Sequence, residues 1–191
     1  MTQITGSCRG WVDESGSNES LDPGSYILAA TICPIDIETS VRETMIRLSP
    51  HGSAKLHWHD EDDPHRRTII TAVSELHLIH LVVVRAHHLD ERPERRRRKC
   101  LEQLIPQLET LSVTDLVLES RGRADNKKDV DMLNALRSQH RVTASLVRHE
   151  IGRREPLLAI PDAVCGAVTA MRIGNSSYRS ILGEQLTMIE I

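Results

Sequence analysis

The sequence predicts a mixed α/β domain, a sheet flanked by helices, and three observations carry that expectation. Two apolar strands open the chain, near residues 8–14 and 26–33. Leu81-Val82-Val83-Val84 is a short apolar, β-branched-rich run of the kind found in strands buried on both faces. Beyond it, helical and extended patterns alternate to the C-terminus. With 191 residues the chain has the length of one domain, 1–191, and can bury a substantial core.

Residues 8–14 read as a strand that ends in the turn-rich run 15–20, and Pro23-Gly24 precedes the second strand, so the two form a hairpin with a long loop. Asp36 or Thr39 caps a helix whose apolar positions are Ile37, Val41, Met45 and Leu48, and residues 49–52 break it. Residues 55–59 are short and extended. Asp63 as N-cap with Pro64 at the first helical position starts the next helix, which buries Ile69, Ala72, Val73 and Leu76. Residues 77–86 form a strand, and Pro93 opens a helix with the stripe Leu101, Leu104, Ile105 and Leu108. Pro106 is expected to kink or end that helix. Residues 114–120 form a strand, Asp125 or Asn126 caps a helix to about residue 139, and residues 142–147 form another strand. A last helix is expected over residues 161–172, and the alternating residues 186–191 form a terminal strand. An alternating apolar strand of that kind must be covered, by the sheet itself or by a second copy in a homodimer.

Composition excludes several classes. Hydrophobic residues make up 39%, somewhat below the globular average, and charged residues make up 27%, which is ordinary; neither suits a collagen-like, mucin-like or wholly disordered chain. No apolar run is long enough to cross a bilayer, and residues 1–10 lack the pattern of a signal peptide, so no membrane partner is expected. The four cysteines form no C-x-x-C pair, which argues against a zinc ribbon or thioredoxin-type site and implies reduced thiols in a cytoplasmic protein. The net charge of −3 does not suit a non-specific DNA coat protein. No Phe and only two Trp and two Tyr are present, so no aromatic platform for single strands is expected. Six of the eight residues from Arg92 to Lys99 are basic, so any affinity for nucleic acid is local.

Three acidic residues fall at the ends of expected elements. Asp13 shares a strand face with Trp11, and Glu119 shares one with Val117. Asp162 lies in the first turn of the last helix, where the helix dipole favours a carboxylate. Sites in open α/β sheets gather at the carboxyl ends of strands. Three carboxylates meeting there repel one another, and a hard divalent cation such as Mg²⁺ relieves that repulsion. Taken singly, each residue also has an ordinary role, as a turn residue, a surface ion-pair partner or a first-turn acid.

Trp11-Val12-Asp13-Glu14-Ser15-Gly16, followed by an apolar strand, resembles the opening of the DUF3800 family of prokaryotic proteins. The segment Pro156-Leu157-Leu158-Ala159-Ile160-Pro161-Asp162-Ala163-Val164-Cys165-Gly166-Ala167-Val168 resembles its closing motif, with Pro161 where Ala is more usual. Lys55-Leu56-His57 is similar to its middle Lys-x-x-His region, and Leu116-Val117-Leu118-Glu119-Ser120-Arg121 falls where the family has a strand ending in an acid. The resemblance implies a ribonuclease-H-like fold, here with an inserted early helix. It also implies Asp13, Glu119 and Asp162 as ligands of Mg²⁺ or Mn²⁺, with Asp129 or Glu14 as the candidate fourth acid, and a metal-dependent attack of water on a phosphodiester.

His57 and His59 alternate around Trp58, so His57 could bind metal or shuttle a proton; the alternative is a solvated loop before a helix cap. Arg95, Arg96, Arg97, Arg98 and Lys99 read either as a phosphate-binding stripe or as a solvated helix face. Cations near a helix start are disfavoured by the dipole, which tilts the reading toward a partner. Arg121 follows Glu119 closely enough to contact a scissile phosphate or to pair with acids. Three functions compete: a metal-dependent hydrolase of phosphodiester bonds or related phosphoryl-transfer enzyme acting on nucleic acid, a non-catalytic interaction module on the same fold, and a structural or regulatory partner working through the exposed final strand and helix.

Overall fold

The computed structural model of the protein describes residues 6–16, 20–49, 56–87 and 89–191. Lys55, His88 and the expected helix break at residues 50–52 lie outside the described residues. The strands are β1 (Cys8–Gly16), β2 (Tyr26–Pro34), β3 (Ile79–Arg85), β4 (Asp115–Glu119), β5 (Leu146–Glu150) and β6 (Leu186–Glu190). The helices are α1 (Glu38–Leu48), α2 (Asp63–Glu75), α3 (Pro93–Thr110), α4 (Arg123–Ser138), α5 (Ala159–Arg172) and α6 (Ser177–Leu182). The six strands form one sheet in the order β5-β4-β1-β2-β3-β6. β2 runs antiparallel to its neighbours β1 and β3, and β4, β5 and β6 join as parallel neighbours. Two helices, α1 and α2, are inserted between β2 and β3.

The two-residue strand period sorts the core into two layers. Trp11, Ile27, Ala29, Val82, Val84 and Val117 point to the face covered by α1, α2, α5 and α6. Val12, Leu28, Ala30, Leu81, Val83 and Leu118 point to the face covered by α3 and α4. Val82, Val83 and Val84 are fully buried, as expected of a strand covered on both faces. β6 pairs in parallel with β3 from His80–Leu186 to Val84–Glu190, so the terminal strand is covered by its own sheet.

Local details differ from the sequence expectation for identifiable reasons. Asp62, not Asp63, caps α2: its Oδ1 accepts the backbone N–H of His65 at 2.9 Å, and Pro64 falls at the second position. α3 runs through Pro106 to Thr110. Proline has no N–H to give the carbonyl of Glu102, one turn back, and Arg141 supplies the donor instead, with Nη2 at 2.7 Å from that oxygen. The expected strand at residues 142–147 starts only at Leu146. The Glu109 carboxylate collects the N–H groups of Thr143, Ala144 and Ser145 together with the Thr143 and Ser145 hydroxyls, and so curls that segment around itself. Burial pushes the Glu109 pKa up, yet the hydrogen bonds from Ser145, Thr143 and Ala144 outweigh it and bring it down to about 2. α6 was not anticipated from the sequence; its short apolar pattern, Tyr178 and Leu182, packs on the α5 layer.

Candidate active site

β1 and β4 are parallel neighbours, with Trp11 opposite Val117 and Val12 opposite Leu118. The next residues along the two strands are Asp13 and Glu119, on the α5 face. The pairing is reinforced on the other side, where Asp13 lies opposite Ala29. α5 crosses this face and brings Asp162 in its first turn. Pro161 fits there because N–H groups of a first turn have no intrahelical acceptor.

Asp13, Glu14, His57, Glu119, Ser120, Arg121 and Asp162 line one open pocket of about 290 Å³. Asp13 is almost wholly buried, and its Oδ1 accepts the N–H of Glu14 at 2.8 Å. Beneath the pocket the buried Cys165 thiol donates to the Asp13 carbonyl at 3.6 Å. Burial first, then the negative charges of Asp13 and Asp162, push the Cys165 thiol well above its ordinary pKa, so it stays a neutral packing group. Cys8, Cys33 and Cys100 are also buried and unbridged.

His57 reaches the rim through a clamp that the sequence pattern did not reveal. Residues Trp58–Asp60 form a 3-10 turn. The Trp58 N–H donates to Asp162 Oδ2 at 3.1 Å, and Arg66 donates to the carbonyls of Trp58 and His59 at 3.0 and 3.1 Å. The Trp58 ring lies edge-on to Tyr178, with centroids 4.9 Å apart. It also lies directly on Gly166 of α5, where any Cβ would collide with the indole. The one available signal was Gly166 inside a helix otherwise free of glycine, a position that admits a close neighbour. The result places His57 Nδ1 3.7 Å from Asp162 Oδ2, with His57 half exposed.

Asp129, expected as a fourth metal ligand, is not part of this lining. It is buried behind the pocket on the α3–α4 side, where Arg97 Nε and Nη2 donate to its two oxygens at 3.1 and 2.8 Å. His149 Nε2 lies 2.9 Å from Oδ2, and Arg121 Nη2 donates to Oδ1 at 3.4 Å. Burial raises the Asp129 pKa, but His149 and the two arginines prevail and hold it at about 2. Glu14, the other candidate, does line the pocket, and its carboxylate pairs with Arg97.

The basic run also divides. Arg96 and Arg97 are buried, Arg96 against the Glu91 carbonyl and Arg97 against Asp129, so neither belongs to a surface phosphate stripe. Helical periodicity leaves Arg95 and Arg98 on the outside, with Lys99 partly so. Arg121 reaches both environments: it lines the pocket, and its Nη1 donates to Glu94 at 3.0 Å.

A mixed sheet with three antiparallel strands leading, two parallel strands added beside the first, and helices on both faces has a counterpart among solved structures. The fold is ribonuclease-H-like. The ribonuclease HII in its complex with PCNA from Archaeoglobus fulgidus superposes with a TM-score of 0.58 at 13% identity, over 86% of this chain and 74% of that one. The Q54A variant of Bst-RNase HIII superposes with a TM-score of 0.55 at 14% identity, over 89% of this chain. This chain spans 54% of the ribonuclease HIII, about half its length. No protein-family model matches the chain, and no curated protein matches its sequence. Among the described residues no helix is long and apolar enough to cross a membrane.

Proposed function

We propose that the chain is a divalent-metal-dependent hydrolase of phosphodiester bonds in nucleic acid, and that it belongs with the DUF3800 proteins its motifs resemble. One observation carries the reading: Asp13, Glu119 and Asp162, from β1, β4 and α5, open on one pocket of a ribonuclease-H-like fold. The chemistry of the donor set, though not its present spacing, suits a hard cation. Three carboxylates from three elements share the pocket, with the Glu14 carboxylate at its side, and such cations take anionic oxygen ligands. Asp13, Glu119 and Asp162 would hold Mg²⁺ or Mn²⁺, whose charge would offset that developing on the phosphoryl oxygens. Arg121 would orient the phosphate through its guanidinium fork. His57, beside Asp162, is the titratable group at the rim suited to move a proton.

A second reading is an interaction module that uses the same fold without chemistry. It is favoured by the side-chain spacing: among the described residues no group of three His, Cys, Asp or Glu side chains stands close enough to hold an ion. Titration calorimetry with Mn²⁺ and cleavage assays on RNA, DNA and hybrid substrates separate the two. The hydrolase reading expects Mn²⁺ binding, cleavage that stops in EDTA, and a loss of about a hundredfold or more in Asp13→Asn, which keeps the shape but removes the charge. No Mn²⁺ binding and no cleavage of any substrate would leave the interaction module.

A further inference from the structure

Outside the pocket, basic residues line a depression of about 550 Å³ between α3 and α4. Five cations, Arg92, Arg95, Arg98, Lys99 and Lys128, line it against two carboxylates, Glu94 and Glu102. This excess of positive charge stands in a chain whose net charge is −3. A second depression of about 360 Å³ shares Glu94, Arg98 and Lys128 with it and continues the groove along the α3–α4 seam, but Asp129 and Asp131 also line that part, so the excess of positive charge belongs to the first depression. Arg92 is the N-cap of α3, and Arg95 and Arg98 follow in its first two turns, where the helix dipole disfavours cations. The sequence keeps them there against that cost.

The intramolecular partners of these cations are weak competitors. Arg98 and Lys99 share one carboxylate, Glu102, at 2.9 and 2.8 Å. Arg95 pairs with Glu91, and Lys128 with Asp125, in one-turn surface contacts. Pairs of this kind are weak and screened by water and salt, so a phosphate oxygen displaces them readily. The groove meets the carboxylate pocket at one ion pair, since Glu94 lines the groove, Arg121 lines the pocket, and the two are 3.0 Å apart.

We infer that this groove carries the phosphodiester backbone of a nucleic acid leading away from the carboxylate pocket. In this arrangement Glu94 occupies on Arg121 the place that a backbone phosphate takes when the strand binds. The inference rests on the reading of the pocket as a site for nucleic acid, and it adds a second contact surface with two residues, Arg92 and Lys128, outside the candidate stripe.

Binding and chemistry are measured apart. Fluorescence anisotropy of short fluorescein-labelled RNA, DNA and hybrid duplexes, in EDTA and across a salt series, reads binding alone. The double variant R98Q/K128Q should bind the preferred probe about tenfold or more weakly at low salt, with a log–log salt slope shallower by about 1.5–2, because two fewer counterions are released. The control K127Q removes an exposed cation of the neighbouring position, outside the groove lining, and should change neither value. E94Q should bind several-fold more tightly, since Arg121 loses its competitor. Melting curves confirm that these surface variants are folded. Unchanged affinity and slope in R98Q/K128Q, or an equal loss in K127Q, overturns the groove. So does the absence of binding to every probe by the unmodified protein. A cleaving enzyme with an indifferent groove refutes only this inference, whereas groove-dependent binding without cleavage refutes only the hydrolase reading.

Discussion

His80 shows how far a single residue departs from its sequence context. It sits in β3 between apolar neighbours, wholly buried, with Nδ1 3.0 Å from the Thr31 hydroxyl. Its other ring nitrogen, Nε2, has no hydrogen-bond partner among the described residues. Burial depresses its pKa from 6.5 to about 4, because a charged imidazolium would lose its hydration there. The unfolded chain therefore takes up a proton that the folded chain refuses. The stability from keeping His80 neutral is fully present above about pH 6.5 and is lost as pH falls toward 4. Urea unfolding across that window should show stability falling with acidification by up to about 1.4 kcal/mol per pH unit. His80→Gln, which does not titrate, should remove that component of the slope. An identical slope in the variant would assign the pH dependence to other groups.

At the scale of elements, long-range donors and acceptors decide where helices and strands begin and end. α3 continues through Pro106 because Arg141, from beyond the end of α4, donates to the Glu102 carbonyl. Arg141→Ala should cost about 1 kcal/mol in urea denaturation by removing that charge-assisted hydrogen bond. In a Pro106→Ala background the restored N–H bonds the same carbonyl, so the Arg141 substitution should then be nearly neutral. Equal losses in both backgrounds would refute the replacement. Glu109 acts similarly on the approach to β5, where its carboxylate takes up backbone donors that a strand would have used and delays the strand to Leu146. Periodicity alone had no means to register either contact, since the partners are 39 and 34 residues away along the chain.

Across the whole molecule, one polar network ties together elements that hydrophobic packing only brings near. Arg97 of α3, Asp129 of α4 and His149 of β5 meet behind the carboxylate pocket and join Glu14 of β1 and Arg121 after β4 in its lining. Arg97 and Asp129 have side chains 3% and 2% exposed, so neither is rescued by water when its partner is removed. Arg97→Ala should destabilise the fold by about 3–5 kcal/mol, the usual cost of stranding a buried charge. Arg97→Ala combined with Asp129→Ala should recover part of that loss. The comparison is made by urea midpoints, and a single variant no less stable than the double would contradict the assignment. Substitutions at Arg96 or Arg97 therefore report first on folding, whereas Arg95 and Arg98 report on the surface.

What the sequence by itself determined follows from short-range geometry. A strand period of two placed Asp13 on the face of Trp11 and Glu119 on that of Val117. Local helix-start chemistry marked Pro93 and the acid-proline start of α2, and the β-branched run marked β3. The DUF3800-like motifs indicated a ribonuclease-H-like arrangement. Only the tertiary structure decided which of these residues meet. Asp13 and Glu119 share a pocket because β4 lies parallel beside β1, and Asp162 joins them because α5 packs on that face over Gly166 and Trp58. The same packing withdrew Asp129 to Arg97, divided the arginine run into buried and exposed members, and carried α3 past Pro106. The physical reason is that a charged or hydrogen-bonding side chain is defined by its partner. A sequence window holds the residue, and the partner arrives from elsewhere in the fold.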